Sequence, residues 1–177
     1  MDPFATLGLP PSFDLDVRTI AERKLALSRA LHPDRYVGRP AGERRAALSK
    51  ALEVNEAARQ LSNPITRAEA VLLTLGAVND ETPHAPSQAF LMDILELRED
   101  LRAAGRAHEQ AKLDALVQQV DARKAETLKR LSVAFADAQR NQYAARPVVH
   151  QLLSELRYLQ RFSDEAEAFL DEMPLAL

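Results

Sequence analysis

A chain of 177 residues with 46% apolar content and a net charge of −3 can bury one sizeable core or two small ones, and two fit better. A nucleic-acid binder usually shows a much stronger basic excess. Without cysteine there is no disulfide framework and no thiolate ligand. With only 4 histidines, spread along the chain, neither a metal site nor a cofactor is expected. No apolar run approaches a membrane span, and Met1-Asp2-Pro3-Phe4 lacks the basic-then-apolar pattern of a signal peptide, so a cytoplasmic protein is expected. Few glycines and aromatics, many Ala, Leu, Glu, Arg and Gln, and no alternating β-branched run predict an all-α fold.

In chain order, Asp2 as cap, Pro3 at the first helical position and Gly8 beyond the end frame a short helix around Phe4 to Leu7. Asp16 caps a second helix that must stop near His32, because Pro33 lacks an N–H and pushes its predecessor out of the helical region. Along it Ile20, Leu27 and Leu31 share a face interrupted by Lys24. The third helix runs from about Ala41 to Ser62, and its repeating Ala47, Ala51, Val54, Ala58 and Leu61 imply close packing on the second. Pro64 starts a fourth, through Arg67, Ala68, Val71, Leu72 and Leu75 to Gly76. The polar stretch 77–87, with two prolines and no periodicity, reads as a linker between a domain at 1–76 and another at 88–177. The first part through Gly76 carries net +2 and the remainder net −5, so the two face different partners. Helical patterns resume from about Ser87 to Ala104, Ala107 to Asp137 and Ala145 to Glu172. Three long helices with short connections make an antiparallel bundle.

His32-Pro33-Asp34 is the most informative feature. A ring and a carboxylate are held at a bend, with Arg29 before and Arg35 after. Taken alone the tripeptide is an ordinary turn, but its flanks say more. Two antiparallel helices joined by His-Pro-Asp, with a short helix before and another after, resemble a J domain. Val54-Asn-Glu-Ala-Ala-Arg-Gln-Leu-Ser-Asn-Pro64 resembles the end of that domain's third helix. Arg67-Ala-Glu-Ala-Val-Leu-Leu73 is similar to a variant found in the HscB-type iron-sulfur J-protein family. Phe90-Leu-Met-Asp-Ile-Leu-Glu-Leu-Arg-Glu-Asp-Leu101 resembles the first helix of that family's client-binding bundle.

The resemblance implies a co-chaperone and not an enzyme. Its J domain would stimulate the ATPase of a dedicated DnaK-type, HscA-like chaperone, and its bundle would carry the iron-sulfur scaffold protein IscU to it. It implies His32, Pro33 and Asp34 as the chaperone-binding core, with Arg23, Lys24, Arg29 and Arg35 beside them. Leu25, Ala26 and Ala30 stand at positions that are often basic in J domains, which leaves a reduced basic face. The cysteine-rich segment of organellar members is absent, which favours the bacterial type.

Geometry adds an observation on the helix from Ser87. At about 100° per residue, Phe90, Ile94, Leu97 and Leu101 fall within about 60° of arc and form a core stripe. Leu91, Met92 and Leu95 lie about 100° to 200° away, bordered by Glu96 and Glu99. A second apolar stripe is covered either by the other two helices or by a partner. The resemblance favours the partner and makes Leu91, Met92, Leu95, Glu96 and Glu99 client contacts, with Tyr158 beside them and Ala103 where the family has an acid. On the last helix Val148, Leu152, Leu159, Phe162, Ala166 and Leu170 read as core, and Asp164-Glu165-Ala-Glu167 as a solvated face.

No nucleophile stands near His32 and Asp34 and no glycine-rich phosphate loop is present, so no catalytic residue is assigned. His84, His108 and His150 read as surface residues. The alternatives are a general J-domain co-chaperone whose bundle dimerises or holds unfolded clients and, from a different class, a helical nucleic-acid binder using Arg23, Lys24, Arg29 and Arg35.

Overall fold

The computed structural model describes residues 1–76, 85–140 and 146–172, and every regular element among them is helical. The chain divides into two compact units, Met1–Asp80 and Glu81–Leu177. Of the expected linker, only Ala85, Pro86 and Ser87 fall within the described residues, and none of the three is helical.

The first unit holds α1 (Pro3–Leu7), α2 (Val17–Ala30), a 3-10 turn (Pro33–Tyr36), α3 (Ala41–Ser62) and α4 (Pro64–Thr74). Local chemistry sets these boundaries. Asp2 Oδ1 accepts the Phe4 N–H at 2.9 Å, and Gly8, at φ 64°, closes α1 in the left-handed conformation that costs glycine least. Asp16 accepts the Arg18 N–H at 2.9 Å. Asn63 ends α3 and caps α4 in one residue, accepting the Ile65 N–H at 2.8 Å with Pro64 at the first helical position. At the centre α3 packs against α1, α2, α4 and the 3-10 turn. Its Ala47, Ala57 and Ala58 are buried and let the neighbours come close, and Val54 and Leu61 join Phe4, Leu7, Phe13, Ile20 and Val71 in the core. On α2 only Ile20 is buried; Leu27 and Leu31 are half-buried and Lys24 is exposed.

Arg67 has a role that its place in the α4 motif did not reveal. The side chain is buried, its Nη1 donates to the Leu15 carbonyl at 2.8 Å, and its guanidinium lies 5.4 Å from the centre of the Phe13 ring. Burial pushes its pKa down from the usual arginine value, and the charge of Asp14 opposes that shift. Arg67 thereby fastens α4 to the loop that leads into α2.

The second unit comprises α5 (Gln88–Arg106), α6 (Gln110–Arg140) and α7 (Arg146–Asp171). Ser87 Oγ caps α5 by accepting the Phe90 N–H at 3.2 Å. The α5–α6 turn is short, and His108 turns it at φ 53°. Ile94, Leu97, Leu101, Leu113, Leu116, Val120, Leu159 and Phe162 form the shared core. Gly105 lies so close to the Phe169 ring that an added Cβ would overlap it, which fixes the α5–α7 approach.

At 1.5 Å per residue α6 and α7 span about 46 and about 39 Å, against about 28 Å for α5. The two longer helices therefore run on past α5 as a pair, joined through Leu131, Phe135 and Ala138 on one side and Val149, Leu153 and Leu156 on the other. This corrects the expected α7 stripe. Val148 is 48% exposed and Val149 is buried in its place, because a two-helix seam follows a 3.5-residue period, here Val149, Leu152, Leu156 and Leu159. Glu155 is buried on the seam too, accepting from Gln151 Nε2 at 3.1 Å with Arg130 Nη1 at 3.8 Å.

Candidate functional site

The two candidate surfaces lie on separate units. In the first, α2 ends at Ala30 and the chain turns through His32-Pro33-Asp34 into the 3-10 turn, whose first residue is Pro33. His32 caps this turn: its Nδ1 accepts the Asp34 N–H at 3.3 Å. A neutral ring that accepts through Nδ1 carries its proton on Nε2, so the turn presents an N–H donor. Asp34 Oδ2 lies 3.4 Å from the same Nδ1. The two side chains are 58% and 86% exposed, so both remain open to another molecule.

The basic candidates are not one patch. Arg29 and Arg35 flank the turn and are exposed. Arg23 and Lys24 stand about 8 to 9 Å further back along α2 and about 120° to 140° around it from Arg29. Arg23 Nη2 also donates to the Gly8 carbonyl at 3.2 Å, tying α2 to the end of α1. Arg29 shares its face of α2 with Arg18 and Leu25, and Leu25 is 51% exposed.

On the second unit, ion pairs hold both flanks of α5. Toward α7, Arg98 donates to Glu165 Oε2 at 2.8 and 2.6 Å, and Arg102 Nε donates to Oε1 of the same residue at 2.8 Å. Toward α6, Asp93 faces Arg123 at 3.7 Å and Asp100 faces Lys112 at 3.6 Å. Between these flanks lies the second apolar stripe. Met92 and Leu95 are each 54% exposed, Glu96 and Glu99 are exposed, and Leu91 is half-buried on the flank that turns toward α7. Tyr158 on α7 is half-buried, its ring 6.3 Å from that of Phe90 at 74° and 5.8 Å from the Arg161 guanidinium.

Sequence reading missed the Arg98–Glu165–Arg102 cluster and took Glu165 for part of a solvated face. Its carboxylate side chain is only 21% exposed. Burial works against its ionisation, but the hydrogen bonds from Arg102 and Arg98 and their charges outweigh that and hold it below the ordinary carboxylate range. The signal was faint: Glu165 adjoins core Ala166, and Arg98 lies nearer the α5 core stripe than Arg102 does.

Among the described residues, no three His, Asp or Glu side chains gather as a metal cage, and no helix is long and apolar enough to cross a membrane. A helical hairpin that presents His-Pro-Asp, followed by a three-helix bundle, defines a co-chaperone with a J domain. The comparisons narrow that class. Residues 86–167 match the family model of the HSCB C-terminal oligomerisation domain. The chain is 35% identical over 168 residues to the co-chaperone protein HscB homolog of Haemophilus influenzae, covering 94% of this chain and 93% of that one. It is 30% identical over 174 residues to the homolog of Mannheimia succiniciproducens, covering 97% of each. Its structure matches chaperone HscB from Vibrio cholerae at a TM-score of 0.80 and 27% identity, covering 98% of this chain and all of that one. Human co-chaperone HscB shares the fold at a TM-score of 0.69 and 23% identity, covering 98% of this chain and 86% of the human chain. The chain belongs to the HscB co-chaperone family.

Proposed function

We propose that this co-chaperone stimulates ATP hydrolysis by a dedicated, HscA-like chaperone of the DnaK type and brings it an IscU-like scaffold protein, in the assembly and transfer of iron-sulfur clusters. The work is cytoplasmic and the chain contributes no catalytic group. His32 and Asp34 engage the chaperone's ATPase domain through the exposed Nε2–H and the exposed carboxylate, and the binding energy favours the chaperone's hydrolysis-competent state. Arg29 and Arg35 steer the encounter, with Arg23 and Lys24 contributing from further along α2. The scaffold binds the face of α5: Leu91, Met92 and Leu95 supply apolar area, Glu96 and Glu99 meet basic groups, and Tyr158 extends the surface onto α7.

The observation that carries this reading is the exposure of Met92 and Leu95 on a helix whose two flanks are pinned by ion pairs. The test is the steady-state ATPase rate of the cognate chaperone with and without this protein. Stimulation should be strong for the natural chain and lost in His32→Gln. Stimulation that survives in His32→Gln would sink the mechanism.

A second reading keeps the J domain and gives the bundle to self-association or unfolded clients, and the match to an oligomerisation domain favours self-association. Sedimentation separates the two. If Leu91→Ala with Leu95→Ala dissolves a dimer and leaves scaffold binding untouched, the second reading holds.

A further inference from the structure

Beside the His-Pro-Asp turn is a cavity of about 250 Å³, lined by Leu31, Pro33, Tyr36, Arg44, Ala47, Leu48 and Ala51. It exists because α3 presents alanine at two successive turns, Ala47 and Ala51, where it faces the 3-10 turn, leaving the space between Tyr36 and α3 unfilled. We propose that this cavity receives an apolar side chain carried on an acidic segment of the ATPase partner, so that the partner is gripped next to His32 and Asp34. The inference rests on the function proposed above and deepens it.

Size, lining and charge together select the occupant. The volume is below the range of small-molecule sites, about 300 to 1,000 Å³, and suits a single side chain. The lining is apolar apart from Arg44 and the Tyr36 hydroxyl. Leu48 is 58% exposed and Leu52, one turn along α3, is 63% exposed, so the apolar surface continues outward from the cavity. The charge around it is positive: Arg35, Arg39, Arg44 and Arg45 stand exposed against Asp34 and Glu43, which selects an acidic segment. Pro33 belongs to both the turn and the cavity wall, which makes the two surfaces continuous.

The experiment is a titration of this full-length protein into the cognate chaperone, reading the concentration that gives half-maximal ATPase stimulation. Ala51→Leu fills the cavity and Leu48→Glu replaces its exposed apolar wall with a charge. Each should raise that concentration about tenfold and leave the maximal rate within about twofold. Arg44→Glu should raise it too and flatten its dependence on salt. Leu73→Ala, at a comparably exposed site on α4, is the control and should match the natural chain. Each variant is first checked for full helical signal, and Leu48→Ser replaces either of the first two that loses it. Natural half-saturation in both cavity variants, with His32→Gln still inactive, overturns the cavity and leaves the function standing. Stimulation retained in His32→Gln overturns the function itself. If Leu48→Glu instead dissolves a dimer of this chain and stimulation is unchanged, the cavity serves a second copy and the proposal falls.

Discussion

Replacing Met92 and Leu95 together by alanine separates a partner surface from a core. Full burial of such a side chain is worth about 1.5 to 3 kcal/mol. Each is 54% exposed in the free protein, so about half of that remains for a partner to collect. The two together supply about 2 kcal/mol, or about thirtyfold in the dissociation constant. Folding should change little, by less than about 1 kcal/mol per residue, since alanine suits an exposed helix position. Leu101→Ala is the contrast: that side chain is 0% exposed and its loss should cost about 2 to 5 kcal/mol of stability. Calorimetric titration with the scaffold gives the first number and thermal melting by circular dichroism the second. A double variant that melts like Leu101→Ala would show the stripe to be core. One that folds normally and binds the scaffold as tightly as the natural chain would show that the client sits elsewhere.

The Glu165 cluster should make the bundle sensitive to acid. Because its pKa is depressed in the folded state, its stabilisation is complete above the unfolded value of about 4.3 and is lost as pH falls through the lower, folded value. Glu165→Gln should therefore cost on the order of 1 kcal/mol at neutral pH, given that Arg98 and Arg102 are part-exposed, and progressively less below about pH 4. Melts of both proteins between pH 7 and pH 3 check this, and a gap that is constant with pH would contradict it. In the first unit, Arg67→Lys should lose the stacking on Phe13 and the geometry of the bond to the Leu15 carbonyl, at a cost of about 1 to 3 kcal/mol. Hydrogen exchange should then speed at least about fivefold in α4 and stay unchanged in α6 and α7. Unchanged exchange in α4 would show that Arg67 is no clamp.

The helices were legible in the sequence where proline and side-chain caps mark their ends. Pro40, Asn63 and Pro64 bracket α3 at Ala41–Ser62, the expected span. The all-α class followed from composition and holds in the structure. What escaped depended on partners far away in the chain. Val148 and Val149 are equally apolar, and only the seam with α6 decides which is buried. Glu165 reads as one acid among several until Arg98, 67 positions earlier, is placed opposite it. The cavity beside Pro33 is made by what Ala47 and Ala51 lack, and a missing volume leaves no motif. The exposure of Met92 and Leu95 lies between these cases. Angular spacing isolated the stripe, but only the packed bundle shows that the other helices leave both residues uncovered.

If one chain couples a held client to hydrolysis in a partner, the chaperone's ATPase rate with this protein and the scaffold present together reports it. The combined rate should exceed the sum of the separate stimulations. That excess should vanish in Met92→Ala with Leu95→Ala, and His32→Gln should abolish stimulation altogether. A merely additive rate for the natural chain would contradict the account.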